Sequence, residues 1–169
     1  MLRYSTLVLF SLLLTQSALG QTIIDAGAAV GQQSYESSAD DPRTLTSLEV
    51  LGRRGPIGLQ LAVEYADLTE EGALFVVHPD VVYRWSLPAN FALMVGAGPT
   101  WSYPGGSGGG LTWNAEAEIE KRWGRFALFA RARQYDYGLP RFREGEAGPN
   151  GPAIYAGFRV NVVSSPTPR

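Results

Sequence analysis

The sequence has no cysteine and a single histidine. Beyond its first residues, no apolar run comes close to the roughly 20 residues that a spanning helix needs. The missing thiols exclude a disulfide-stapled exported fold, and they exclude a lipid anchor on a cysteine behind a leader. The missing run means that any passage through a membrane must be made by strands. A basic surplus is absent too: 14 Lys and Arg stand against 16 Asp and Glu, for a net charge of −2. With no cationic stripe to neutralise phosphates, nucleic acid is not an expected partner.

What is present begins with a leader. Arg3 gives a positive start, Leu7 to Leu14 is mostly apolar, and Ala18-Leu19-Gly20 offers small residues where a signal peptidase reads. The expected organisation is a signal peptide over 1–20, one barrel domain over 21–163 and a short tail over 164–169. Removing the leader takes away Arg3 and no acid, so the exported chain is slightly more negative.

Glycine (20) and proline (11) then punctuate eight segments of period-two alternation. The sharpest is Ile57–Asp67. Ile57, Leu59, Leu61, Val63 and Tyr65 share one face, and Gly58, Gln60, Ala62, Glu64 and Ala66 share the other. In Leu111–Trp123, Trp113, Ala115, Ala117, Ile119 and Lys121 oppose Asn114, Glu116, Glu118, Glu120 and Arg122. Further strands are expected over Thr22–Tyr35, Thr44–Arg54, Ala73–Leu87, Asn90–Tyr103, Arg125–Gly138 and Ala153–Val163. The weakest is Thr44–Arg54, where Glu49 shares a face with Leu45 and Leu51.

Hairpin chemistry gives an independent check. A turn at Gly124-Arg125, with Gly first as a type II′ turn prefers, sets Trp123 opposite Phe126 and Ile119 opposite Ala130. On the other face it sets Glu118 opposite Arg131 and Glu116 opposite Arg133. A turn at Arg54-Gly55 puts Val50 opposite Leu59 and Leu48 opposite Leu61. One at Pro88-Ala89-Asn90 puts Trp85 opposite Leu93 and Tyr83 opposite Val95. These three short turns alternate with longer connections, Glu36–Arg43, Thr69–Gly72, Pro104–Gly110 and Gly138–Pro152. The rhythm is that of an all-β, eight-stranded antiparallel up-and-down barrel with its short turns on the periplasmic side.

Alternation alone does not say which face looks outward, since a soluble lipocalin-like barrel that holds an apolar ligand alternates as well. Three features favour a transmembrane barrel. Aromatics gather near the strand ends on the apolar face: Trp85, Phe91, Trp123 and Phe126 by the short turns, Tyr65, Trp101, Tyr103 and Trp113 by the long connections. Two such belts are what membrane interfaces favour. The polar face carries small residues, such as Gly58, Ala62, Gly96 and Gly98, that fit a narrow lumen. It also carries complementary charges: Asp25, Glu64, Arg84, Glu116, Glu118, Arg131, Arg133 and Arg159. Lys121 falls on the apolar face, close enough to a short turn to snorkel.

This pattern resembles the small bacterial outer-membrane barrels of the OmpA and OmpX type over essentially the whole exported chain. The resemblance implies a cell-envelope protein in the outer membrane, in contact with its lipid and lipopolysaccharide and inserted by the barrel-assembly machinery. It departs from the family where Ser164-Ser165-Pro166-Thr167-Pro168-Arg169 follows the last strand, because members usually end on an aromatic residue.

Chemistry-bearing motifs are few. His78 and Asp80 share the polar face, but the His-x-Ser spacing of outer-membrane lipid A-modifying enzymes is not matched, because Asp80 stands where Ser would be. The Gly-rich run 104–110 lacks the Gly-Lys-Ser/Thr ending of a phosphate loop and reads as an external loop. Glu116, Glu118 and Glu120 are spaced to catch a cation, though Arg131 and Arg133 opposite favour ion pairing. No catalytic, cofactor or metal residue is assigned. The expected role is non-enzymatic: a plugged barrel that is structural or makes surface contacts through its external loops. The largest of these carries Arg141, Phe142, Arg143, Glu144 and Glu146 and is the expected site for an extracellular partner. A lipid A-modifying enzyme and an exported soluble ligand-binding barrel are the alternatives.

Overall fold

A computed structural model describes residues 21–33, 43–67, 73–104, 110–136 and 151–165. The leader, the greater part of the four longer connections with their charged residues, and the chain after Ser165 lie outside the described residues.

Eight antiparallel strands close into a barrel: β1 (Thr22–Gln33), β2 (Arg43–Arg54), β3 (Ile57–Asp67), β4 (Ala73–Ser86), β5 (Phe91–Pro104), β6 (Gly110–Trp123), β7 (Phe126–Asp136) and β8 (Gly151–Ser164). Each pairs with its sequence neighbours, and β1 closes the cylinder against β8. Closure removes every sheet edge, so no row of backbone N–H and C=O groups is left unpaired along a strand. β8 runs through Ser164, and the Ser165 N–H donates to the Thr22 carbonyl at 3.0 Å.

The short turns set the registers. Gly124 takes φ +57°, Arg125 keeps a negative φ, and Trp123 pairs with Phe126. That is the pattern of a II′ turn with glycine in the position that needs it. The β2–β3 turn differs from the sequence expectation. Its central residues are Gly55 (φ +61°) and Pro56, and Arg54 pairs with Ile57. Val50 therefore opposes Leu61, and Leu48 opposes Val63. A turn at Arg54-Gly55 would force arginine into the left-handed region. Moving it one residue gives that place to glycine and lets proline supply the negative φ that follows. The pairing shifts by two residues, so every side chain stays on its face.

In the third turn Ala89 (φ 57°) and Asn90 (φ 62°) both lie in the left-handed region, and the Leu87 N–H donates to the Phe91 carbonyl at 2.8 Å. Asparagine tolerates that conformation; alanine carries a Cβ penalty. Ala89→Gly is expected to raise stability by roughly 0.5–1 kcal/mol, measured as a higher urea midpoint of the refolded barrel.

Side chains alternate as the sequence implies, with apolar residues outward. Leu48, Leu59, Val81, Phe126, Leu128 and Ile154 are all exposed, Ile154 to 68%. Ionised residues point inward and are covered, among them Glu49, Glu64, Glu118, Arg131, Arg133 and Arg159. The interior is not wholly polar, however. Leu45, Leu74, Val76 and Phe129 pack together inside, and so do Leu51, Val82 and Met94. This settles the ambiguity of β2: Leu45, Glu49 and Leu51 all face the lumen, where apolar side chains fill volume above and below the charges.

Candidate functional site

The inward face of the barrel builds one continuous ion-pair network with three levels. Nearest the short turns, Arg122 from β6 grips Asp25 of β1 (Nη2 to Oδ2 2.8 Å, Nη1 to Oδ1 3.2 Å) and Glu120 of its own strand (Nε to Oε1 3.1 Å). Arg84 reaches Glu120 at 3.2 Å and Ser86 Oγ at 3.1 Å, and Arg53 lies 3.8 Å from Asp25.

The middle level is a square of alternating charge. Arg131 donates to Glu49 and to Glu118, both at 2.7 Å. Arg159 also donates to Glu49 and to Glu118. The four side chains come from β2, β6, β7 and β8, so the square spans the lumen. Phe129 lies beside both guanidiniums, 4.3 Å from that of Arg159 and 4.8 Å from that of Arg131, a favourable stacking geometry. Arg159 touches Glu120 at 3.3 Å and so joins this level to the one below.

The third level centres on Arg133. It pairs with Glu64 across the barrel, with Glu116 (Nη2 to Oε2 2.6 Å) and, more loosely, with Asp80 at 3.5 Å. The hydroxyls of Tyr135 and Tyr155 donate to Glu64 Oε2 at 2.8 and 2.9 Å. His78 Nε2 lies 3.2 Å from the same oxygen, and its Nδ1 lies 3.0 Å from Thr100 Oγ1. Asn114 donates to Asp80 Oδ1 (2.8 Å), Thr100 Oγ1 (3.0 Å) and the Gly98 carbonyl (3.1 Å). Backbone geometry makes room for this. The β4–β5 ladder is interrupted around Pro79, which has no N–H to give. A Cβ at Gly98 would sit 2.2 Å from the Pro79 carbonyl oxygen and 2.5 Å from Asp80 Oδ1, so only glycine fits.

The structure brings together Glu64, Arg84, Glu116, Glu118, Arg131, Arg133 and Arg159 from the sequence-derived set, with Asp25. It adds Glu49, Asp80, Glu120, Arg53, Arg122, Gln60, Tyr135, Tyr155, Asn114 and Thr100. The tyrosines were visible in principle, since Tyr135 has the parity of Arg131 and Arg133. Trp85, Phe91, Trp101, Tyr103, Trp113, Trp123 and Phe126 all stand exposed on the outer face. Lys121 is on that face too. Its ammonium donates to the Ala89 carbonyl and lies 4.2 Å from the Phe91 ring centroid.

Chemically, a histidine between a carboxylate and a hydroxyl is the layout of a nucleophilic triad. Here His78, Glu64 and Thr100 are all fully covered within the lumen, and the hydroxyl faces side chains rather than solvent. No group of three or more His, Asp or Glu suited to a metal occurs among the described residues. A soluble barrel with an apolar ligand chamber is contradicted, because the centre is filled by charged side chains and the apolar surface faces out.

No protein-family model and no curated protein matches the sequence. Solved structures do match in shape. Neisserial surface protein A (NspA) superposes with a TM-score of 0.58 at 14% identity, covering 83% of this chain and 98% of that one. A de novo designed transmembrane β-barrel gives 0.59 at 12%, covering 83% and 95%. The N-terminal β-barrel domain of Pseudomonas aeruginosa OprF gives 0.56 at 15%, covering 81% and 96%. The resemblance to small outer-membrane barrels therefore holds at the level of fold: the chain is a closed eight-stranded antiparallel up-and-down barrel with an apolar outer face.

Proposed function

We propose that this protein is a non-enzymatic barrel of the bacterial outer membrane, with a plugged lumen and a structural or surface-contact role exercised through its outer loops. The observation that carries this reading is the lumen itself. Arg131, Arg133 and Arg159, among the largest side chains available, are buried across it and held by carboxylates from opposite strands. An eight-stranded barrel is already narrow, and three buried arginines with their carboxylates across it support the reading of a plugged lumen. In the membrane the short turns face the periplasm, the two aromatic belts sit at the interfaces, and the apolar outer face contacts lipid and, on the far leaflet, lipopolysaccharide. Insertion would use the barrel-assembly machinery, and the 138–152 connection is the proposed contact for an extracellular partner.

Two measurements test this. On detergent-extracted outer membranes, the unboiled protein is expected to migrate differently from the boiled chain on a gel, as closed barrels do. In planar bilayers it is expected to give no steady open channel. A stable conductance would contradict the plug. For the enzyme alternative, His78→Ala is expected to leave lipid A composition unchanged; an altered acyl pattern would revive it.

A further inference from the structure

The short-turn end carries a pocket that plugging the lumen does not explain. It is an open depression of about 310 Å³, lined by Arg84 and Arg122 from inside, Ser86 and Asn90 from the β4–β5 turn, Gly124 from the β6–β7 turn, and Leu87 and Phe91 from the outer rim. No carboxylate lines it among the described residues. The side chains of Arg84 and Arg122 keep 14% and 16% of their surface exposed, whereas their partners Glu120 and Asp25 are covered, with 3% and 0% exposed. Negative charge is therefore hidden and positive charge displayed.

The balance at this level is also uneven. Among the described residues, the acids paired with Arg53, Arg84 and Arg122 are Asp25 and Glu120, and Glu120 is shared with Arg159. Around the same rim stand Lys121 and Arg125, and residues 84–91 and 121–126, which wall the pocket, contain no Asp or Glu. Guanidiniums with a hydroxyl and an amide form a donor set suited to a phosphate.

The other half of the wall is hydrocarbon. Leu87 and Phe91 are exposed, and Phe91 leads onto the outward Leu93 and Trp85. A ligand that satisfies both halves is an anionic amphiphile. We propose that this pocket binds the phosphate of an anionic glycerophospholipid in the leaflet at the short-turn end, with the acyl chains lying along the outer face past Phe91. The proposal rests on the membrane orientation given above.

The test uses the full exported chain refolded in maltoside micelles. Dihexanoylphosphatidylglycerol is titrated while the amide resonance of Gly124, at the pocket, is followed by NMR, with inorganic phosphate as the comparison. A saturable shift is expected, with the lipid binding at least about tenfold more tightly than inorganic phosphate. Asn90→Asp puts a carboxylate on the exposed wall without touching the ion-pair network and is expected to weaken lipid binding by about tenfold. Arg84→Gln is expected to weaken it likewise. Equal affinity for inorganic phosphate would assign a free-anion site and overturn the lipid. An absent shift, or an Asn90→Asp variant that binds as the parent does, would overturn the pocket. Gel mobility on the same samples separates the failures. An intact barrel with a flat titration sinks this inference alone, and a chain with no heat-shifted form sinks the barrel reading and the pocket with it.

Discussion

Arg133→Met is expected to lower the stability of the refolded barrel by roughly 3–5 kcal/mol, the range for stripping one partner from a buried ion pair. Arg133 is fully buried and serves Glu64, Glu116 and Asp80 at once. Without it, Glu116 keeps a contact with Arg131 at 3.3 Å, and Glu64 keeps two tyrosine hydroxyls and His78. Asp80 keeps Asn114. Hydrogen bonds from neutral donors do not replace a cation in a water-poor interior. Methionine fills similar space with a flexible apolar chain, so the loss reports charge more than cavity. Arg133→Lys should fall between, since an ammonium keeps the charge but not the planar fork that reaches opposite strands. Urea midpoints followed by tryptophan fluorescence give the measurement. A loss below about 1 kcal/mol would mean that the carboxylates are satisfied by something other than this guanidinium.

The second large effect comes from the square. Arg131→Met leaves Glu49 and Glu118 with Arg159 as their shared cation, which Glu120 also touches, so the carboxylates around it are in surplus. Adding Glu118→Gln removes the surplus and restores the Glu49–Arg159 pair. The double variant is therefore expected to be more stable than Arg131→Met by itself, with a coupling of about 1–3 kcal/mol. Exchanging the charges gives the opposite lesson. Considered as an isolated cross-strand pair, Glu118→Arg with Arg131→Glu should recover folding. In the square, the exchange mends one contact but breaks two. It sets the guanidinium introduced at position 118 against Arg159, and the carboxylate introduced at position 131 against Glu49, so little recovery is expected. Strong rescue by the exchange would show that the four groups act as separate pairs.

This contrast also marks how much of the molecule was legible beforehand. Period-two alternation located all eight strands, because a half-buried strand must alternate whatever its neighbours do. The Gly124 turn fixed the β6–β7 register, and with it the Glu118–Arg131 and Glu116–Arg133 pairs, because type II′ chemistry is local. The β2–β3 register was off by two residues, since Arg54-Gly55 and Gly55-Pro56 compete and only the backbone angles decide between them. What could not be read is everything that crosses the lumen. Glu49 meets Arg159, 110 residues away, and Glu64 meets Arg133. Such contacts appear only once the cylinder closes and its width brings non-adjacent strands face to face. Glu49 was hidden further by Leu45 and Leu51 on its own face, which blurred the alternation of that strand.

The central claim is that hydrocarbon bathes the outer face while the charges are sealed within. The chain carries its own probes for this, four tryptophans, all on the outer face (Trp85, Trp101, Trp113 and Trp123). In vesicles of brominated phospholipid, tryptophan emission is expected to be strongly quenched, more by bromines placed near the head groups than by bromines at the chain ends, while aqueous iodide has little effect. Efficient quenching by iodide with none from the brominated lipid would contradict the account.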